Sequence, residues 1–224
     1  MRPAPLGEAP RGPHSGRGPR TLLVLALLVA CGARLALAQA ARSCPAAGDT
    51  QSPKTQALNR LKNRTGVPSA ADVDSAATLA AIVAAGDDRH RWDERRAAVV
   101  VGFAVDAMVG GVESANCHAR GAKGRDTHIE LVLDSADAGR PRRVIVEVTP
   151  RVRALMAAQG VDWSTQALQR TFVGHWVRVS GWLLFDTDHV NQSANTAPRS
   201  PEVWRATAWE VHPVTGIEVV PRPH

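Results

Sequence analysis

From residue 97 to residue 220, apolar and polar positions follow one another in short runs whose period of two predicts strands rather than helices. The first run, 97–108, is apolar and interrupted by Gly102, where a barrel strand must bend sharply. The second, 127–134, sets Ile129, Leu131 and Leu133 on one face and His128, Glu130 and Val132 on the other. In the third, 143–149, Val144, Val146 and Val148 point inward, Ile145 and Glu147 point outward, and Pro150 stops the strand. Gly139 marks the turn between the second and third strands. Two helical stretches follow, 151–159 and 164–172. The fourth strand, 175–185, puts Val177, Val179, Leu183 and Phe185 on one face and bends at Gly181. The fifth, 204–212, continues into a tail, 214–220. Three strands, a helical insertion and two strands predict a mainly β protein with flanking helices, a five-stranded OB-like barrel over residues 96–224.

Upstream of the barrel the pattern divides again. Residues 41–67 are polar and poor in large apolar side chains, which predicts a flexible arm. Residues 68–95 predict a helical region: Ser69 caps a helix with Asp72 and Asp74 in its first turns, apolar Val73, Ala76, Ala77, Ala80 and Val83, and a stop at Gly86. That helix is expected to cover an open end or edge of the barrel. At the N-terminus, Arg2, Arg11, Arg17 and Arg20 precede the apolar run 21–30, too short to span a bilayer and suited to an export signal. Cleavage after Ala38-Gln39-Ala40 gives a signal of residues 1–40. Alternatively Leu28-Val29-Ala30-Cys31 resembles a lipobox, which gives a signal of residues 1–30 and a lipid-bearing Cys31 tethered to a membrane. Either way the expected location is periplasmic, secreted or membrane-tethered in a bacterium. In an oxidising compartment Cys44 and Cys117 are expected to form a disulfide, the alternative being a metal site using Cys117-His118.

Charge changes the picture once the leader is set aside. The chain carries +6, but residues 1–40 hold five Arg and one Glu, so four of those charges belong to the leader and +2 remains. From Arg96 onward, 14 basic side chains face 13 acidic ones, leaving no broad cationic field for nucleic acid. Strands two and three, on which OB barrels stack bases, contain no aromatic residue. The chain has no Tyr and six Trp. Of these, Trp176, Trp182 and Trp204 are the candidates for a binding groove, which would suit a protein, peptide or glycan partner in the cell envelope; the alternative is that each fills the barrel ends as core.

Four segments carry a resemblance. They are Val-x-Val-x-Gly-Trp-Leu-Leu-Phe-Asp-x-Asp-His (177–189), Trp-Glu-Val-His-Pro-Val-x-x-Ile-Glu-Val (209–219), Asp-x-His-Ile-Glu-Leu (126–131) and Val-Ile-Val-Glu-Val-Thr-Pro (144–150). Together they resemble a set of small secreted bacterial proteins of unknown function with an OB-like core, over about residues 96–220. The resemblance implies the barrel and draws attention to Asp126, His128, Glu147, Asp186, His189, Glu210 and His212, without supplying a reaction.

Those residues have chemistry of their own. On a strand, positions i and i+2 share a face, so Asp126 with His128, Asp186 with Asp188, and Glu210 with His212 present pairs. A carboxylate beside an imidazole binds a divalent metal or orients the ring as a base. Glu147, Asp186 and Glu210 are the candidate catalytic carboxylates; Asp126, His128, His189 and His212 are the candidate metal ligands. Structural roles compete: His212 before Pro213 can cap a loop carbonyl, and Asp186 can bond its own backbone in a turn. The leading expectation is a non-enzymatic binding module without a cofactor. The rival is a metal-assisted hydrolase, which requires His128, Glu147, Asp186, His189 and His212 within one coordination sphere.

Overall fold

A computed structural model describes residues 44–137 and 143–223. The export leader, both cleavage readings, Cys31 and the turn expected at Gly139 lie outside the described residues. Among the described residues no helix is long and apolar enough to cross a membrane. In chain order the main elements are α1 (Pro53–Lys62), α2 (Leu79–Val83), β1 (Ala97–Val109), β2 (Thr127–Val132), β3 (Val144–Val148), α3 (Pro150–Ala158), α4 (Thr165–Phe172), β4 (Trp176–Phe185) and β5 (Trp209–Val219).

The five strands close into one barrel in the order β1-β2-β3-β5-β4. β1 is long enough to serve two neighbours: Ala97 to Phe103 pair antiparallel with β4, and Phe103 to Val109 with β2. Gly102, where the sequence predicts a bend, lies next to this change of partner, and the register shift in β1 falls just after it, between Ala104 and Asp106. A Cβ at Gly102 would stand 2.5 Å from Leu79 Cδ2 and 3.1 Å from the Val132 carbonyl, so any side chain at this position would displace Leu79 of α2 from the barrel wall. β3 and β5 meet in parallel at Val146↔Val211.

Strand parity decides what lies inside. Ile129, Leu131, Val144, Val146, Val148, Val177, Val179, Leu183, Trp209 and Val211 fill the core. Each Val, Leu or Ile contributes about 1.5–3 kcal/mol by leaving water. Leu168 and Phe172 of α4 and Val152 of α3 join the same core. The alternate positions His128, Glu147, Glu210 and His212 therefore face away from it, on the outer wall of β2, β3 and β5.

Five expectations are corrected. The helix expected from Ser69 to Gly86 is instead a 3₁₀ turn, Ala70–Asp72, and the five-residue α2. Local capping overrides the alanine-rich helical pattern: Asp74 accepts from the Ala76 amide, and Thr78 accepts from the Ala81 amide to start a new helix. The arm expected over 41–67 contains α1, capped by Ser52 with Pro53 in the first turn, and it buries Leu58, Asn59 and Lys62. Its polar residues find partners in the protein: Asn59 donates to the Ala47 carbonyl at 2.9 Å, and Asn63 to the Ala115 carbonyl at 2.9 Å. The fifth strand begins at Trp209 rather than residue 204, because Thr207 and the Ala208 amide are drawn aside to the buried Asp88 carboxylate at 2.6 and 3.0 Å. The segment expected as a tail is the continuation of that same strand. β2 also stops early, at Val132, where Asp134 turns to accept from the Ala136 amide.

Candidate active site

Pairing register assembles the outer wall into one polar cluster. His128 lies directly opposite Glu147 across β2 and β3, with Nε2 and Oε1 2.8 Å apart. The parallel contact at Val146↔Val211 sets Glu147 beside β5, where His212 Nδ1 lies 3.5 Å from Glu147 Oε2 and 3.3 Å from Glu210 Oε2. Asp126, just before β2, accepts from Asn116 Nδ2 at 3.1 Å and approaches His212 Nε2 at 3.7 Å. Asp126, Glu147, Glu210 and His212 are all buried.

A roof closes over these groups. Lys62 of α1 reaches down to Glu113 at 2.8 Å, and the Cys44–Cys117 disulfide pins the arm beside it. Arg151 reinforces the staple, donating to Asn63 Oδ1 at 2.9 Å and to the Cys44 carbonyl. The adjacent histidine, His118, pairs with Asp49 at 2.9 Å, while Cys117 is committed to the disulfide instead of a Cys117-His118 metal site. The expected disulfide is present.

Asp186 and His189 form a second unit. Asp186 Oδ2 bonds His189 Nδ1 at 2.5 Å, and Asp186 Oδ1 accepts from the Asp188 amide at 3.0 Å, so the turn-forming role and the histidine-orienting role coexist. Buried Arg205 joins the units: its Nη1 donates to Glu210 at 2.6 Å, and its Nη2 lies 3.7 Å from Asp186. The five residues required for one coordination sphere therefore do not share one. Asp126, Glu147 and His212 bring ligand atoms within 4.8 Å of one another, as do Glu113, His128 and Glu147, while Asp186 and His189 pair with each other. His212 is not a loop cap through its ring. Its ring faces carboxylates, and its backbone carbonyl accepts from Arg64 at 3.2 Å.

Burial and crowding set the protonation states. Burial alone would push the His212 imidazole down, but Glu147, Glu210 and Asp126 outweigh it and raise its pKa to about 9. His128 follows the same balance, burial against Glu147, and also rises to about 9. Burial pushes the Asp126 carboxyl upward, opposed by His212 and assisted by Glu147. Burial pushes Glu147 the same way, yet His128 and His212 hold it well below the usual carboxylate range. Glu210 is raised by burial and by Asp186 and Glu147. Asp186 is held far down: burial is outweighed by the His189 bond and by Lys62 and Arg205. Lys62 is buried at an energetic cost, but Asp186, Glu113, Glu147 and Glu210 keep it charged.

Five buried atoms in this network, Glu147 Oε2, His212 Nε2, His128 Nε2 and the Nε and Nη2 of Arg205, have no hydrogen-bond partner among the described residues. Such atoms are rare in folded proteins and call for an explanation. A pocket of about 340 Å³ reaches the cluster and is lined by Asn59, Glu113, His118, His128, Asp188 and His189.

Sequence reasoning missed Lys62, Glu113 and Arg205, which come from an arm, a loop and a pre-strand segment with no periodic pattern. The scarcity of lysine, three in the chain, is the signal that could have drawn attention to Lys62. The three candidate tryptophans do not line one groove. Trp182 donates to the Gly66 carbonyl at 2.7 Å under the Arg64 guanidinium, and Trp204 donates to Gln192 at 2.6 Å. Trp176 packs edge-on against Phe103 and lines a separate pocket of about 400 Å³ with Val99, Val101 and Arg222. A larger cleft, about 680 Å³, is walled instead by Trp92, Phe185 and Trp209. Comparison with protein-family models, with curated proteins and with solved structures finds no match for this chain.

Proposed function

We propose that the protein is an exported hydrolase built on an OB-like barrel, with a metal centre at Asp126, Glu147 and His212 in place of the five-residue coordination sphere expected from the sequence, which does not form. The closed strand order β1-β2-β3-β5-β4, with helices between β3 and β4, supports the OB-like reading. The disulfide suits an oxidising compartment. One observation carries the functional reading: Asp126, Glu147 and His212 converge, fully buried, with two of their polar atoms unpaired, beside a pocket that presents an oriented histidine. Two carboxylates and one imidazole fit Zn²⁺ or Mn²⁺, which would polarise a substrate oxygen or a water.

The chain's own groups divide the remaining work. His189 Nδ1 is held by Asp186, which leaves Nε2 as the ring atom able to meet a substrate. The Asp186 bond raises the His189 pKa against the effect of burial, so the ring carries a proton to give to the leaving group as the scissile bond breaks. A pocket carboxylate, Asp188, receives the proton of the attacking water. A binding role for the Trp92/Phe185/Trp209 cleft is the second reading, favoured by its aromatic walls, with an envelope peptide or glycan as partner. Metal titration distinguishes the two. At a hundredfold excess over Kd, Mn²⁺ or Zn²⁺ should stabilise chelator-stripped protein by about 2.7 kcal/mol, a Tm rise of roughly 5–10 °C. His212→Gln and Glu147→Gln should abolish the rise, and metal-dependent turnover of chromogenic esters or phosphodiesters should be lost in His189→Ala. A Tm indifferent to both metals would overturn the hydrolase reading and leave the cleft.

A further inference from the structure

Glu147 belongs to both convergent groups of ligands, and its two oxygens face opposite ways. Oε1 lies 2.8 Å from His128 Nε2, and Oε2 lies on the side of His212, 3.5 Å from its ring. On one side Asp126 completes a group with His212; on the other Glu113 completes a group with His128. We propose that Glu147 is a bridging carboxylate that holds two divalent cations, an inner one between Asp126 and His212 and an outer one between Glu113 and His128. This rests on the metal-dependent reading above and extends it.

Three observations support a pair rather than a single ion. The two groups are chemically alike, each offering two carboxylates and one imidazole, so a metal that suits one suits the other. The spread of each group, with ligand atoms within 4.8 Å of one another, fits ligation at about 2.0–2.2 Å after small side-chain movements, and one shared carboxylate sets the separation of about 3.5–4 Å typical of paired catalytic ions. Glu113 and His128 line the pocket, so the outer ion is the one a substrate meets, while the inner ion is enclosed.

Charge balance then names the substrate class. Glu113, Asp126, Glu147, Asp186, Asp188 and Glu210 bring six negative charges, and Lys62, Arg205 and the protonated His189 bring three positive ones, leaving −3 when the metal-binding histidines are neutral. One divalent ion leaves −1; two leave +1. Only the doubly loaded centre attracts an anion, so the substrate is an anionic ester, with a phosphodiester the simplest class.

The test is Mn²⁺ titration of the full, disulfide-intact chain by calorimetry, read together with the electron paramagnetic resonance spectrum. Two Mn²⁺ per chain with an exchange-coupled spectrum are expected. His128→Gln and His212→Gln should each bind one ion with an uncoupled spectrum, and Glu147→Gln should lose the coupling altogether. The wild-type spectrum alone decides the bridge if a variant does not fold. One ion per chain, lost in His212→Gln, would overturn the pair and leave the hydrolase reading standing; no binding would remove both. Two uncoupled ions that survive Glu147→Gln would also overturn the bridge.

Discussion

Replacing Lys62 by Met keeps the aliphatic stem and removes the one ammonium under the arm, and the consequence can be worked from the structure. The Lys62 side chain is only 3 % exposed and its nitrogen lies 2.8 Å from Glu113 Oε2. At that distance, in an effective dielectric of about 20, the attraction is about 6 kcal/mol. Desolvation of the two charges offsets several kcal/mol of it. Asp186, Glu147 and Glu210 also lean on the ammonium, so its loss leaves a cluster of carboxylates with Arg205 as their remaining fixed cation. The expected loss of stability is about 3–5 kcal/mol, the usual range for breaking a buried pair from one side. Urea denaturation at pH 7 measures it. Lys62→Met/Glu113→Gln should be less destabilised than the sum of the two single variants, because the second change removes one of the uncompensated charges. Added Mn²⁺ should restore more stability to Lys62→Met than it adds to the parent protein. A loss below about 1 kcal/mol, or strict additivity in the double variant, would refute the picture of Lys62 as the resident counter-charge.

Three further outcomes are expected. Reducing Cys44–Cys117, which closes a loop across 73 positions, or replacing both cysteines by Ser, should cost about 4 kcal/mol in the chain-entropy model and speed proteolysis near α1, as followed by limited digestion and mass spectrometry. Gly48→Ala should destabilise by more than about 1 kcal/mol in chemical denaturation, since Gly48 has φ +67° and an added Cβ would fall 2.0 Å from the Ser114 carbonyl oxygen; an unchanged midpoint would refute that contact. The Asp186–His189 pair should impose pH dependence from both sides. Depressed Asp186 contributes stability above about pH 4 that is lost on acidification, and raised His189 contributes stability below about pH 6.5 that is lost as pH rises through its folded value. Arg205 lowers and Glu210 raises the His189 value, so Asp186→Asn should shift it down towards the model-peptide range; an NMR titration unchanged by the substitution would refute the pairing.

The barrel was legible because its strands alternate with period two and end at strong signals. Pro150 stops β3 within two residues of the expected boundary, and Gly102 lies next to the point where β1 changes partners. The outer-wall cluster was legible for the same reason: Glu210 with His212, and Glu147 opposite His128, follow from parity once the register is known. What could not be read is the roof. Lys62 and Glu113 lie in segments without periodicity, and their positions are decided by a disulfide and by polar bonds 51 and 52 residues apart in sequence. The helix over 69–86 failed because side-chain caps at Asp74 and Thr78 compete locally with helical hydrogen bonds, which an apolar-pattern count does not weigh. The tryptophans failed because parity says which face a ring occupies and nothing about what covers it. Trp182 turned out to lie beneath Arg64 and bonded to Gly66.

The site draws on both ends of the described chain. Arg64, two residues beyond the lysine of the roof, bonds the His212 carbonyl across 148 positions, and that carbonyl belongs to the last strand. No partly folded chain can hold the cluster: before β5 docks there is no Glu210 or His212, and before the arm docks there is no Lys62 to neutralise the carboxylates. Contacts of such long range form late and slowly. The buried cluster is thus complete only in molecules whose first and last described segments have met.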